Sequence, residues 1–207
     1  MRRIVNNVRS LFGCRALAFL LVLCLGTPVA AASRAAGFIE QLGNETITVL
    51  GDSKLDQSER ERQFRRLLNE GFALNAIAQF TLGRYWRAAT AEQQAEFRRL
   101  FEELVIKTYG SRLSHYSKEV LVVSDERPDG DAGSIVTTDI VRTNKPTVKI
   151  QWRVRPVGNG FKIVDVVAEG ISMALTQQSE FAAVIRARGG EVEGLLEDLR
   201  EKVATQK

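Results

Sequence analysis

The sequence predicts an α+β domain in which helices cover one face of a curved, mainly antiparallel four-stranded sheet. Two observations carry this. Apolar residues recur at helical spacing up to about residue 115, alternate with a period of two from Lys118 to Val167, and return to helical spacing after Ala168. The alternating segments are also joined by short turn-rich loops, which leave room only for consecutive hairpins.

Residues 1–32 stand apart from this domain and read as a secretory leader. Arg2, Arg3, Arg9 and Arg15 form a basic start, Ala16 to Leu25 is an apolar run too short to span a bilayer, and Ala30, Ala31 and Ala32 offer small residues for cleavage. Leu23 stands where a lipoprotein signal ending at Cys24 would need a small residue, and the Arg2-Arg3 pair lies far from the apolar run for twin-arginine export. The mature chain is expected to start near Ser33, as a single domain over 33–207, soluble in the periplasm.

Removing that leader changes the charge argument. It holds four of the 29 basic residues and none of the 25 acidic ones, so 25 of each remain and the sequence pI of 9.3 belongs largely to the leader. No basic footprint for nucleic acid is left. Both cysteines, Cys14 and Cys24, leave as well, excluding a disulfide framework or a thiol nucleophile in the remaining 175 of 207 residues.

Within the domain, a helix over roughly Ala35 to Leu50 is predicted despite the β-branched Thr46, Thr48 and Val49. Asp56 with Glu59 caps a second, whose Phe64, Leu67, Leu68 and Phe72 share a face. Short helical segments follow. Thr90 and Gln93 form a capping box that opens the longest helix, carrying Phe97, Leu100, Phe101, Leu104, Val105 and Tyr109 and ending near His115.

Four strands are predicted at Val120 to Ser124, Ser134 to Arg142, Thr147 to Arg155 and Phe161 to Val167. In the third, Val148, Ile150, Trp152 and Val154 share one face, and Lys149, Gln151, Arg153 and Arg155 the other. A helix bearing Phe181, Val184 and Ile185 follows, stopped by Gly189 and Gly190. A last helix carries Val192, Leu195, Leu196 and Leu199.

Reactive groups are sparse. His115 is the only histidine, which excludes serine triads and multi-histidine zinc sites by count. Asp139 and Asp165 interrupt apolar strands, and two readings fit them: polar partners within a sheet, or a general base paired with Tyr109 or Tyr116 in an isomerase-like cavity. The basic strand face of Lys149, Arg153 and Arg155 fits either a solvated surface or contact with anionic head groups or an acidic partner. No catalytic or metal-ligating set is assigned.

The excess is apolar and aromatic. Phe72, Ile77, Phe80, Leu82, Tyr85 and Trp86 precede the long helix, whose Phe97, Leu100, Phe101, Leu104 and Tyr109 add to them. With Ile140, Ile150, Trp152 and Ile163 on the strands, and Ile171 and Met173 after them, they form either a filled core or the lining of a pocket for acyl chains.

Several residue strings make the chain resemble the MlaC family, over about Phe38 to Leu199. They are Leu82-Gly83-Arg84-Tyr85-Trp86-Arg87-Ala88-Ala89-Thr90, then Phe97, Phe101, Tyr109-Gly110, Gln151-Trp152-Arg153, Ala168-Glu169-Gly170-Ile171-Ser172-Met173 and Ser179-Glu180-Phe181. The resemblance implies a cone-shaped fold holding phospholipid acyl chains between helices and sheet, with phospholipid as cargo and no other cofactor. It implies a periplasmic carrier, also called a toluene-tolerance protein, that shuttles lipid between an outer-membrane lipoprotein and porin complex and an inner-membrane MCE-type ABC transporter. The related HpnM branch, associated with hopanoids, shares much of the pattern and leaves a sterol-like cargo as the alternative.

Overall fold

The computed structural model describes residues 29–113, 119–130, 133–142 and 145–205. The leader up to Pro28, together with His115 and Tyr116, lies outside these residues. Helices α1 (Val29–Gly51), α2 (Gln57–Gly71), α3 (Leu74–Leu82) and α4 (Ala91–Leu113) come first, with a 3-10 turn at Gly83–Arg87. Strands β1 (Val120–Pro128), β2 (Ser134–Arg142), β3 (Lys145–Val157), β4 (Gly160–Ala168) and β5 (Ile171–Ser172) follow, then α5 (Met173–Ala187) and α6 (Val192–Thr205). Among the described residues no helix is long and apolar enough to cross a membrane.

Local chemistry sets the element ends. The Asp56 carboxylate accepts the Glu59 N–H at 2.8 Å to open α2, and that bond holds its carboxyl below the usual range. At α4 the capping box closes both ways, Gln93 N–H to Thr90 Oγ1 and Thr90 N–H to Gln93 Oε1, each at 3.2 Å. In α1 the β-branched run is helical, and Thr46 and Thr48 satisfy their hydroxyls by turning them back onto the Leu42 and Asn44 carbonyls, at 2.7 and 2.8 Å.

The sheet has the order β1-β2-β3-β4-β5, all antiparallel, so the predicted meander gains a fifth strand. At two residues β5 is too short to display a period. It is made by a tight turn at Glu169 and Gly170, both with positive φ (51° and 83°), the geometry of a two-residue hairpin loop. β1 runs beyond Ser124 to Pro128 because a bulge there breaks the alternation without ending the pairing.

Helices and sheet are joined by backbone as well as by packing. Lys162 on β4 donates to the Asn69 and Glu70 carbonyls at the end of α2 (2.8 and 2.6 Å), and the Ala73 N–H bonds the Ile163 carbonyl at 2.9 Å. The largest core cluster lies among α3, α4, α5 and α6, where Phe181 meets Phe97 edge-on at 5.5 Å beside Leu82, Leu100 and Ile185. Two smaller clusters flank α1, one against the sheet around Ile39, Val136 and Ile163, the other against α2 and α4 around Leu50, Phe64 and Ile106.

Candidate functional site

Between α1, α2 and α4 on one side and the inner face of the sheet on the other, the packing leaves a cavity of about 410 Å³. Its sheet wall follows from the register. Leu121, Ile140 and Val148 are paired across β1, β2 and β3, and all three line the cavity. Ile150 with Ala168, then Trp152 with Val166, extend that wall across β3 and β4.

The helical wall is equally apolar. α1 contributes Ile39, Leu42, Thr46, Ile47 and Leu50, α2 adds Phe64, Leu67 and Leu68, and Phe101, Val105 and Tyr109 form one stripe of α4. Met173, Ala174 and Gln177 of α5 close one side.

Polar groups on the wall are largely engaged. Thr81 Oγ1 donates to the Ala78 carbonyl at 2.9 Å, and Trp152 Nε1–H donates to Thr138 Oγ1 at 2.9 Å. Among the described residues, Glu119 and Asp165 are the only charged ones that line the cavity, and no lysine or arginine does. Asp165 is 8 % exposed and accepts Ser172 Oγ–H at 2.6 Å and the Ala174 N–H at 3.1 Å, so its two oxygens hold the start of α5. Asp139 is not on the wall and lies 3.7 Å from Lys149, whose side chain is 64 % exposed. The geometry therefore gives both strand aspartates structural partners.

Of the residues singled out from the sequence, Phe72, Ile77, Phe101, Tyr109, Ile140, Ile150, Trp152, Ile163 and Met173 come together around this cavity. Leu82, Phe97 and Leu100 do not. They are almost fully buried in the cluster among α3 to α6, and Leu104 packs against the same cluster. Tyr85 and Trp86 cover that cluster beneath the Arg84 and Arg98 guanidiniums, which stand 5.0 and 4.8 Å from the ring centres. Phe80 and Ile171 are exposed and point away from the wall. The α1 residues were missed, although 39, 42, 46 and 50 lie at helical spacing.

The basic strand face has internal partners too. Arg153 and Arg155 converge on Asp129, at 3.1 and 2.7 Å, and the Arg155 hydrogen bond holds the Asp129 carboxyl below its ordinary range.

A family model described as MlaC protein matches residues 40–201, a stretch that contains every residue lining this cavity except Ile39. The chain belongs to the MlaC family. Within the wider comparison, it is 23 % identical over 124 residues to the toluene tolerance protein Ttg2D of Pseudomonas putida, covering 60 % of this chain and 58 % of that protein. It is 26 % identical over 112 residues to the intermembrane phospholipid transport system binding protein MlaC of Haemophilus influenzae, covering 52 % of each. The matches thus span little more than half the length of these curated relatives. Among solved structures, a phospholipid-binding protein from Ralstonia solanacearum, crystallised with a phospholipid, superposes with a TM-score of 0.75 at 25 % identity, covering 83 % of this chain and 98 % of that one. MlaC-family membership and this likeness agree with the fold class read from the sequence.

Proposed function

We propose that the chain is a periplasmic phospholipid carrier that loses its leader near Ser33 and acts as one domain. It would take acyl chains into the apolar cavity and carry lipid between an outer-membrane lipoprotein and porin complex and an inner-membrane MCE-type ABC transporter. The observation that supports this most is the cavity itself: about 410 Å³, almost wholly apolar, with its aspartate committed to a helix cap. Its wall runs along α1 from Ile39 to Leu50, roughly 16 Å of helix, close to half of a bilayer's ~30 Å hydrocarbon core and so to one leaflet's chain length.

The physics of the task matches that surface. Each methylene left in water costs about 0.8 kcal/mol, so a diacyl lipid crosses an aqueous space only when its chains are shielded. Phe72, Ile77, Phe101, Tyr109, Ile140, Ile150, Trp152, Ile163 and Met173 are the side chains assigned to that contact. A carrier needs no nucleophile. It needs a dry wall and release by a partner that favours an emptied state.

Native mass spectrometry of the mature chain, followed by denaturing extraction, tests this reading. A stoichiometric phospholipid is expected. A hopanoid would reassign the cargo to the HpnM-like alternative, and repeated preparations that hold no lipid and take none up would overturn the carrier reading.

A further inference from the structure

Six of the eight large hydrophobic side chains exposed among the described residues gather at one end of the sheet: Tyr109, Val120, Val122, Val141, Ile171 and Leu175. This is the end at which β1 begins, β2 ends, β3 begins and β4 ends. It is also where the cavity wall reaches the edge of the sheet, because strand alternation interleaves the two sets. Leu121 and Ile140 point into the cavity, while the neighbouring Val120, Val122 and Val141 are 56, 45 and 44 % exposed. Val120 and Val141 are cross-strand partners. On the far side, Ile171 pairs with Ala168 of the wall, and Leu175, 53 % exposed, lies in the first turn of α5, two residues after Met173 of the wall. Of the other two, Val157 lies at the opposite end of the sheet and Phe80 on α3.

The first half of edge strand β1, Val120 to Val123, is four consecutive apolar residues, whereas its second half carries Asp125, Glu126, Arg127 and Pro128. Natural edges are blunted by charges and proline as in that second half, so the bare half marks a surface meant to be covered. Cations border it: Arg142, Lys145 and Lys149, set against Asp139, 3.7 Å from Lys149, and Glu119.

We propose that this apolar collar docks at the headgroup and acyl boundary of an anionic lipid bilayer, so that cargo passes between membrane and cavity without a wetted gap. This rests on the carrier reading above. A bilayer is the occupant that fits because the collar and the cavity wall are formed by alternating residues of the same strand ends. An acyl chain leaving hydrocarbon therefore meets exposed valines and then the wall in succession. The flanking cations suit anionic head groups, and apolar side chains beside basic ones are the pattern of interfacial binding.

The test uses the mature chain and vesicles of phosphatidylcholine mixed with phosphatidylglycerol that contain a fluorescent phospholipid. Flotation reads docking, and transfer of fluorescence to the protein reads extraction. The wild type is expected to float with these vesicles and extract lipid with no other protein present. The pairs Val120→Asp with Val141→Asp, and Ile171→Asp with Leu175→Asp, are expected to extract about tenfold more slowly. Val157→Asp, at the opposite end, should match the wild type. All variants are also loaded from detergent-solubilised lipid, which bypasses docking. Collar variants that load from detergent yet extract as fast as wild type overturn the proposal, as does a detergent-loaded wild type that exchanges nothing with vesicles, which would assign the collar to a protein partner. If the wild type holds no lipid even from detergent, the carrier reading itself fails.

Discussion

Asp165 on β4 and Ser172 on β5 are joined by a 2.6 Å hydrogen bond, and Ser172 in turn accepts the Leu175 N–H at 3.1 Å. The pair thus fastens the end of the sheet to the first turn of α5. Asp165→Ala strands the Ser172 hydroxyl and the Ala174 N–H, and is expected to cost about 2 kcal/mol or more in urea denaturation, with Ser172→Ala costing about 1 kcal/mol. Asp165→Asn keeps an acceptor and should retain bound lipid. Loss of all lipid in a folded Asp165→Asn variant would instead make this carboxylate part of cargo recognition.

Cavity volume is the quantity a cargo must compete for. Ile140 and Val148 face each other across β2 and β3 on the wall, so Ile140→Trp with Val148→Trp fills the space between sheet and α1. Lipid carried per protein should fall severalfold in extraction assays while the chain stays folded. Leu104→Ala makes the opposite test. That side chain packs against the α3 to α6 cluster, so the change should cost about 2 kcal/mol of stability and leave lipid content unaltered.

Gly43 lets α1 approach β1. A Cβ there would stand 2.5 Å from Leu121 Cδ1, the tip of a side chain that can swing only by giving up its place on the wall. Gly43→Ala gains about 1 kcal/mol of helix propensity and loses a similar amount in repacking, so the expected stability change is within about 1 kcal/mol. Its effect should appear in lipid content, which is expected to drop. Unchanged lipid content together with a large fall in melting temperature would contradict this.

Acid should loosen the turn between β1 and β2. Arg155 holds the Asp129 carboxyl below its ordinary range, so this contact contributes fully above the unfolded carboxylate's pKa of about 4 and is lost as pH falls through the lower native value. Asp129→Asn should flatten the pH dependence of stability in that acidic window and leave it unchanged near neutrality. Identical acid denaturation curves for the two proteins would rule this out.

β3 was legible because one of its faces is covered and the other largely wetted, so Val148, Ile150 and Trp152 separate from Lys149, Gln151 and Arg153 by simple alternation, whereas in β2 Ile135 to Thr138 are buried on both faces. The helical side of the site was not. On α4, Phe101, Val105 and Tyr109 line the cavity, while Phe97, Leu100 and Leu104 sit in the helical cluster, and the two stripes differ only by a small rotation about the helix axis. Both are apolar, and a lined wall and a filled core call for the same residues. β5 escaped notice for another reason, since two residues in a tight turn carry no period. On α1, the helical spacing of Ile39, Leu42, Thr46 and Leu50 was offset by the strand-like composition of its last turns.

The cluster among α3, α4, α5 and α6 meets the cavity chiefly through Ile77, Phe101 and Val105. Core packing and cavity lining therefore overlap only in part: Ile39, Leu50, Phe64 and Ile163 belong to both, whereas Phe97, Leu100 and Leu199 belong to the helical cluster alone. On the carrier reading, substitutions at wall positions outside the core clusters, such as Ile140, Val148 and Ile150, retune what is carried while the four-helix side keeps the chain assembled. The consequence is a scaffold whose cavity can be reshaped at those positions without each change having to be rescued elsewhere in the fold.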